Sequence, residues 1–202
     1  MNLKILSFIV FSLFLHGICA QPLERNPVRY GVRAGVNFSN MNFSKGSPPP
    51  AIPIESSWKP GGIAGFFIIA PLSGSFYIQP EYLYSQMGGK AASLGTSYEF
   101  NYISLPVFLR WEAMGRLSFI AGPQFQLLIN AKQKNEGSGS MITKGLEDRS
   151  LGATFGVEYD ITSTFGIGIK YMLGLNHISS EAVMNSQEFK YEMLQLSLFY
   201  IF

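Results

Sequence analysis

From Tyr30 to Phe202 the chain falls into runs of roughly ten residues in which every second side chain is apolar, with polar stretches between them. A period of two puts alternate side chains on opposite faces of a strand. Eight runs carry it, at 30–39, 60–70, 75–85, 100–111, 116–130, 149–160, 164–175 and 190–202. The phase is readable in most of them. Tyr30, Val32, Ala34, Val36 and Phe38 oppose Gly31, Arg33, Gly35, Asn37 and Ser39. Phe165, Ile167, Ile169, Tyr171 and Leu173 oppose Gly166, Gly168, Lys170 and Gly174. The run at 60–70 is apolar on both faces and its phase is not readable.

The connections alternate in length. Pro71–Gly74, Glu112–Gly115 and Ile161–Ser163 are short, whereas 40–59, 86–99, 131–148 and 176–189 are long and rich in Gly, Ser, Pro, Asn and Lys. Short turns at one end and long loops at the other are the pattern of an up-and-down membrane barrel. The expected fold is therefore all-β, an eight-stranded antiparallel up-and-down transmembrane β-barrel.

Composition agrees with a lipid-facing wall. Charged residues make up 14% of the chain and hydrophobic ones 47%, against about 25% charged in ordinary globular domains. Strands in hydrocarbon must close into a ring to satisfy their backbones, and the apolar phase then faces lipid. The other phase holds Arg33, Glu81, Arg110, Glu158 and Lys170. Charges at membrane depth have to turn inward and pair, so these five are expected to form an interior polar network, with Gln79, Gln124 and Gln126 adding hydrogen bonds. An ion or anionic ligand held there is the alternative role for the five. Tyr30, Phe76, Trp111, Tyr159, Phe165 and Tyr200 lie near the short-turn ends, as an aromatic belt at one interface would. At the long-loop end the aromatics expected on the wall are fewer, chiefly Phe38 and Tyr84. Leu198, Tyr200 and Phe202 share the outer face of the last run, in the manner of a C-terminal barrel-insertion signal.

The first twenty residues read as a secretory signal. Lys4 is its positive region and Ile5–Leu15 a core too short for a membrane helix, which needs about 20 residues. A cut at Ala20/Gln21 removes Cys19, the chain's one cysteine, so disulfides and thiolate metal sites are not expected afterwards. Ile18 before Cys19 disfavours lipidation. The expected organisation is a signal peptide at 1–20, a short periplasmic lead-in at 21–29 and a barrel at 30–202. No basic patch points to nucleic acid, and no cofactor, phosphate-loop or metal-ligand motif is present.

Several stretches resemble one family. Tyr30–Ser39 is similar to its opening strand and Tyr102–Arg110 to its most recognisable one. Ala121–Pro123, Gly156–Tyr159 and Gly174–Ile178 are similar to later strands. The family is the PorT-like outer-membrane β-barrel domain common in Bacteroidota, and the resemblance covers roughly residues 28–202. It implies a location in the outer membrane and little about activity, since only the family's named member is associated with a secretion and gliding machinery.

An eight-stranded barrel is just wide enough inside for side chains to fill it, which disfavours a general porin. The expectation is a non-enzymatic integral protein, structural or partner-binding through four long loops. Its expected partners are outer-membrane lipid, the barrel-assembly machinery and envelope or secretion proteins. Two other readings carry distinct signatures. A secreted lipocalin-like barrel binding a hydrophobic ligand would put Val32, Val36, Ile167 and Ile169 inside and Arg33, Glu81 and Lys170 outside. An outer-membrane lipid-modifying enzyme would need His177 with Ser179, Ser180 and Glu181 as a relay, but these residues are consecutive in a polar loop. Pro48–Pro50 stiffens the first long loop.

Overall fold

Each alternating run becomes a strand with an antiparallel partner on either side. The computed structural model describes residues 27–42, 56–91, 96–135, 138–141, 149–176, 178 and 189–202. The wall strands are β1 (Arg29–Asn42), β3 (Lys59–Ser73), β4 (Phe76–Ala91), β5 (Thr96–Met114), β6 (Leu117–Asn135), β8 (Arg149–Asp160), β9 (Phe165–Gly174) and β10 (Lys190–Ile201). Two short strands, β2 (Ser56–Ser57) and β7 (Ser138–Met141), pair with β4 and β6. The order β1–β3–β4–β5–β6–β8–β9–β10 returns to β1 and closes an eight-stranded ring. The signal region 1–20 with Cys19, the prolines 48–50 and the relay candidates His177, Ser179, Ser180 and Glu181 lie outside the described residues.

The short connections are turns with local causes. Gly74 and Gly115 have φ of 55° and 50°, a left-handed backbone that glycine adopts without strain. Between β8 and β9 the Thr162 hydroxyl accepts the backbone N–H of Phe165 at 2.9 Å. At the closing edge, Phe202 N–H donates to the Tyr30 carbonyl at 2.9 Å, which ties the chain's last residue to its first strand.

The wall is taller than the alternation indicates, and this corrects the loop boundaries. β4 continues to Ala91, β5 begins at Thr96 and β6 runs to Asn135, so much of 86–99 and part of 131–148 is strand. A strand needs only about 9–11 residues to cross hydrocarbon, and the surplus stands above it on the long-loop side. There the sense of the alternation reverses. Met41, Met87, Tyr98, Phe100, Tyr191 and Met193 turn inward and are buried. Asn42, Glu99 and Glu192 lie on the other face of these strands, and Lys132 lies on the other face of β6 from the buried Ala131. Such a segment looks polar from outside, which is why it reads as loop.

The lumen is filled in three layers. Nearest the short turns, Phe67, Ile69, Tyr77, Phe199 and Ile201 form an apolar cluster. Above it lies a charged and polar layer. Above that, the reversed segments build a second apolar cluster of methionines and aromatic rings, closed by Ile178 and Phe189, whose backbones pair across the β9–β10 connection. The run at 60–70 lacked a readable phase because β3 contributes to the lower cluster. Its inward Ile63, Phe67 and Ile69 are as apolar as its outward Ala64, Phe66 and Ile68.

Candidate functional site

The middle layer draws one charged side chain from each of β1, β4, β5, β8 and β9. Register sets their heights: Arg33 lies opposite Phe199, Glu81 opposite Phe67, Arg110 opposite Tyr77, and Lys170 opposite Gly156. Glu158 accepts Arg33 on Oε1 and Arg110 on Oε2, with Lys170 Nζ at 3.6 Å. Glu81 holds Lys170 Nζ on both oxygens at 2.7 and 2.8 Å, Arg33 Nη2 at 3.1 Å and Gln79 Nε2 at 2.7 Å. Arg33 Nη1 also donates to Ser197 Oγ at 2.9 Å. All five charged residues are at most 4% exposed, so each charge depends on these partners.

Aromatic rings hold two of the cations from their faces. The Arg33 guanidinium lies 5.1 Å from the Phe67 ring centre and 5.3 Å from that of Phe199, and Lys170 Nζ lies 4.5 Å from that of Phe108. Such contacts are worth about 0.5–2 kcal/mol, more when desolvated. Glycines make the room. A Cβ on Gly166 would fall 2.1 Å from Phe199 Cζ, and one on Gly168 would fall 3.1 Å from Arg33 Nη1.

The ionic cluster extends to the short-turn rim through residues the sequence reading had not joined to it. Arg110 reaches Glu112 at 3.3 Å and Asp160 at 3.5 Å, and Glu112 pairs with Arg29, whose guanidinium lies over the Tyr77 ring. The signal was present in the phase: Glu112 and Asp160 continue the inward faces of Arg110 and Glu158. Four cations then face four carboxylates. Gln124 and Gln126 stand apart from the carboxylates. Gln124 accepts Thr154 Oγ1 at 2.9 Å, and Gln126 donates to Ser104 Oγ at 3.4 Å.

The outer face is the inverse of the lumen. Val32, Val36, Ile167 and Ile169 are 42–54% exposed. In β1 the outward apolar column runs from Tyr30 to Phe38, in β4 from Phe76 to Tyr84, in β5 from Ile103 to Trp111 and in β10 from Leu194 to Phe202. Those lengths match a hydrocarbon crossing. This arrangement is the opposite of what a soluble barrel binding an apolar ligand inside would show.

The comparisons with known proteins agree. The profile described as an outer membrane protein beta-barrel domain matches residues 19–180. The chain belongs to that family. Its place is accordingly the outer membrane. Among solved structures, this outer-membrane barrel is similar to Neisserial surface protein A, with a TM-score of 0.55 and 15% identity over 88% of this chain and 100% of that one. It is also similar to Ail, the attachment invasion locus protein of Yersinia pestis, with a TM-score of 0.51 and 14% identity over 86% of this chain and 98% of that one. At these identities the likeness shows the fold alone. No curated protein matches the chain in sequence.

The aromatic residues at the short-turn rim of the barrel meet along it, by stacking or edge to face. Phe76 and Trp111 lie 6.2 Å apart, Trp111 and Phe119 5.8 Å, Phe165 and Tyr200 5.1 Å, and Tyr200 and Phe202 5.4 Å. Tyr30 and Tyr159 face outward at the same end. Phe119 adds to the residues named from the sequence. Farther from the turns, Phe66 stacks on Tyr82 at 5.2 Å and Phe155 meets Tyr171 at 5.7 Å, so wall aromatics away from the turns are more than Phe38 and Tyr84. Leu198 and Phe202 are exposed on the outer face, and the Tyr200 ring lies on it between Phe165 and Phe202.

Proposed function

We propose that this outer-membrane barrel is a non-enzymatic, PorT-like protein of the Bacteroidota type that works through its extracellular side. In this reading it serves as a structural or partner-binding component, with a secretion-associated assembly as one setting. Export by the N-terminal signal and insertion by the barrel-assembly machinery through Leu198, Tyr200 and Phe202 belong to the same reading. The observation that carries it is the filled lumen. Two apolar clusters and an ionic layer whose charges are matched among themselves fill it, which favours contact at the surface over transport through the middle.

The test is co-purification of the full-length protein from its native envelope. A loop variant has residues 43–55, 92–95, 142–148 and 179–188 replaced by Gly-Ser of equal length. The expected outcome is a stoichiometric envelope partner with the native chain and none with the loop variant, while both keep heat-modifiable gel mobility. Retention of every partner by the loop variant would refute the role of the loops. Lipopolysaccharide modification lost on His177→Ala would replace this reading with the enzymatic one.

A further inference from the structure

Three prolines stand in neighbouring strands of the membrane-spanning wall: Pro80 in β4, Pro106 in β5 and Pro123 in β6. Proline has no N–H to give to a ladder and is normally kept to sheet edges or bulges. Each of these three breaks a ladder. β3 and β4 pair at Phe67↔Glu81 and again at Ala70↔Ile78, but not across Ile68 and Pro80. β4 and β5 pair at Pro80↔Val107 and at Leu83↔Ser104, but not across Glu81 and Pro106. β5 and β6 pair at Pro106↔Gln124 and at Leu109↔Ala121, but not across Val107 and Pro123.

The three gaps have one cause. Each proline nitrogen faces the preceding strand, so the carbonyls of Ile68, Glu81 and Val107 receive no ladder hydrogen bond there. The gaps form a diagonal through one side of the wall. The other side has no such break: β1 and β10 pair without a gap from Gly31↔Ile201 to Asn42↔Lys190, and β8–β9 and β9–β10 are likewise continuous. An unmet backbone group in hydrocarbon is costly, so the wall is weakest along this diagonal.

The weak sector is held from inside. Glu81, on β4, is gripped by Lys170 of β9 and Arg33 of β1. Arg110, on β5, is gripped by Glu158 of β8. These ion pairs cross the lumen from the interrupted strands to the uninterrupted ones. We propose that the β3–β6 sector is a hinged seam in the wall, latched by the Glu81–Lys170 and Arg110–Glu158 pairs, along which β4 and β5 part sideways while the other half of the barrel stays paired. The seam is a conformational device separate from the surface role proposed above.

Amide hydrogen exchange on the full chain in lipid nanodiscs tests this. Segments 66–70, 79–83 and 105–109 are compared with 32–36, 155–159, 167–171 and 196–200 at similar depth. The loss of a hydrogen bond from each gap predicts exchange at least about tenfold faster in the first set. Glu81→Gln is expected to raise exchange further in the seam segments and leave the others within about twofold. Pro80→Val, Pro106→Val and Pro123→Val, each able to restore an N–H, are expected to slow the segments beside them. Equal protection of the two sets in the native protein overturns the seam, and so does unchanged exchange in all three proline variants that keep heat-modifiable mobility. Unchanged seam exchange in Glu81→Gln overturns the latch. If the proline variants do not assemble, the comparison within the native chain still decides.

Discussion

Lys170 Nζ stands 2.7 and 2.8 Å from the two carboxylate oxygens of Glu81, one residue on β9 and the other on β4. Both side chains are buried. Breaking a buried pair by removing one partner strands the other charge and costs about 3–5 kcal/mol, whereas an exposed pair is worth about 0–1 kcal/mol. Lys170→Ala is therefore expected to lower barrel stability by several kcal/mol in urea unfolding from lipid vesicles. Arg29→Ala, at the half-buried rim, is expected to cost much less. Equal losses would mean that position along the lumen does not set the energy.

Gly166 has no room for a side chain. Its Cβ would overlap the Phe199 ring, and overpacking a filled interior costs about 1–3 kcal/mol. Gly166→Ala is expected to lower the temperature at which the folded gel band is lost. Combining it with Phe199→Leu is expected to recover part of that loss, because the smaller side chain removes the ring contact and leaves the one with the Tyr159 carbonyl, 2.7 Å from the Cβ. A double variant no better than Gly166→Ala would place the strain elsewhere.

Depth in the bilayer should govern tolerance of charge on the outer wall. Leu196 and Ile169 are neighbours on the outward face of β10 and β9, within the apolar band. Arginine at the midplane of such a wall costs about 2–4 kcal/mol, and near the interface about 0–1 kcal/mol. Leu196→Arg is expected to fall in the first range. Asn42→Arg, whose native side chain lies 3.2 Å from Glu192, is expected to fall in the second. Chemical unfolding in vesicles of fixed thickness measures both.

The filled interior predicts no porin-like conductance. Purified protein in planar bilayers is expected to show no unitary steps of porin size, and Phe67→Ala is expected to leave that unchanged because the ionic layer and the upper cluster remain. Large open-channel steps from the native chain would contradict the packing of Phe67, Phe199 and the ionic layer.

Strand positions were legible because lipid enforces a simple rule: apolar residues face out, and almost nothing apolar is needed within. Where that rule held, as from Tyr30 to Phe38 or Phe165 to Leu173, the phase could be read residue by residue. It failed where the solvent changed. Past the membrane Met87, Tyr98 and Phe100 point into the lumen, so a polar exterior passed for a loop. It failed again in β3, where Phe67 and Ile69 supply an apolar layer to an interior otherwise expected to be polar. The inward charges stood out because Arg33, Glu158 and Lys170 each interrupt a face rich in small residues, and Glu81 and Arg110 each stand opposite an apolar outward column. Their partners did not, since pairing depends on which strands meet across the lumen. The proline gaps are likewise visible only once the register is known.

The inversion of the wall above the bilayer has a mechanical consequence. Because that collar has its own oily centre and a water-compatible skin, it stands as a stiff pedestal in the fluid beyond the bilayer. A visitor from that side meets a shaped rim, braced by the same ring that is anchored in lipid. Force applied to the rim is carried directly into the anchored ring.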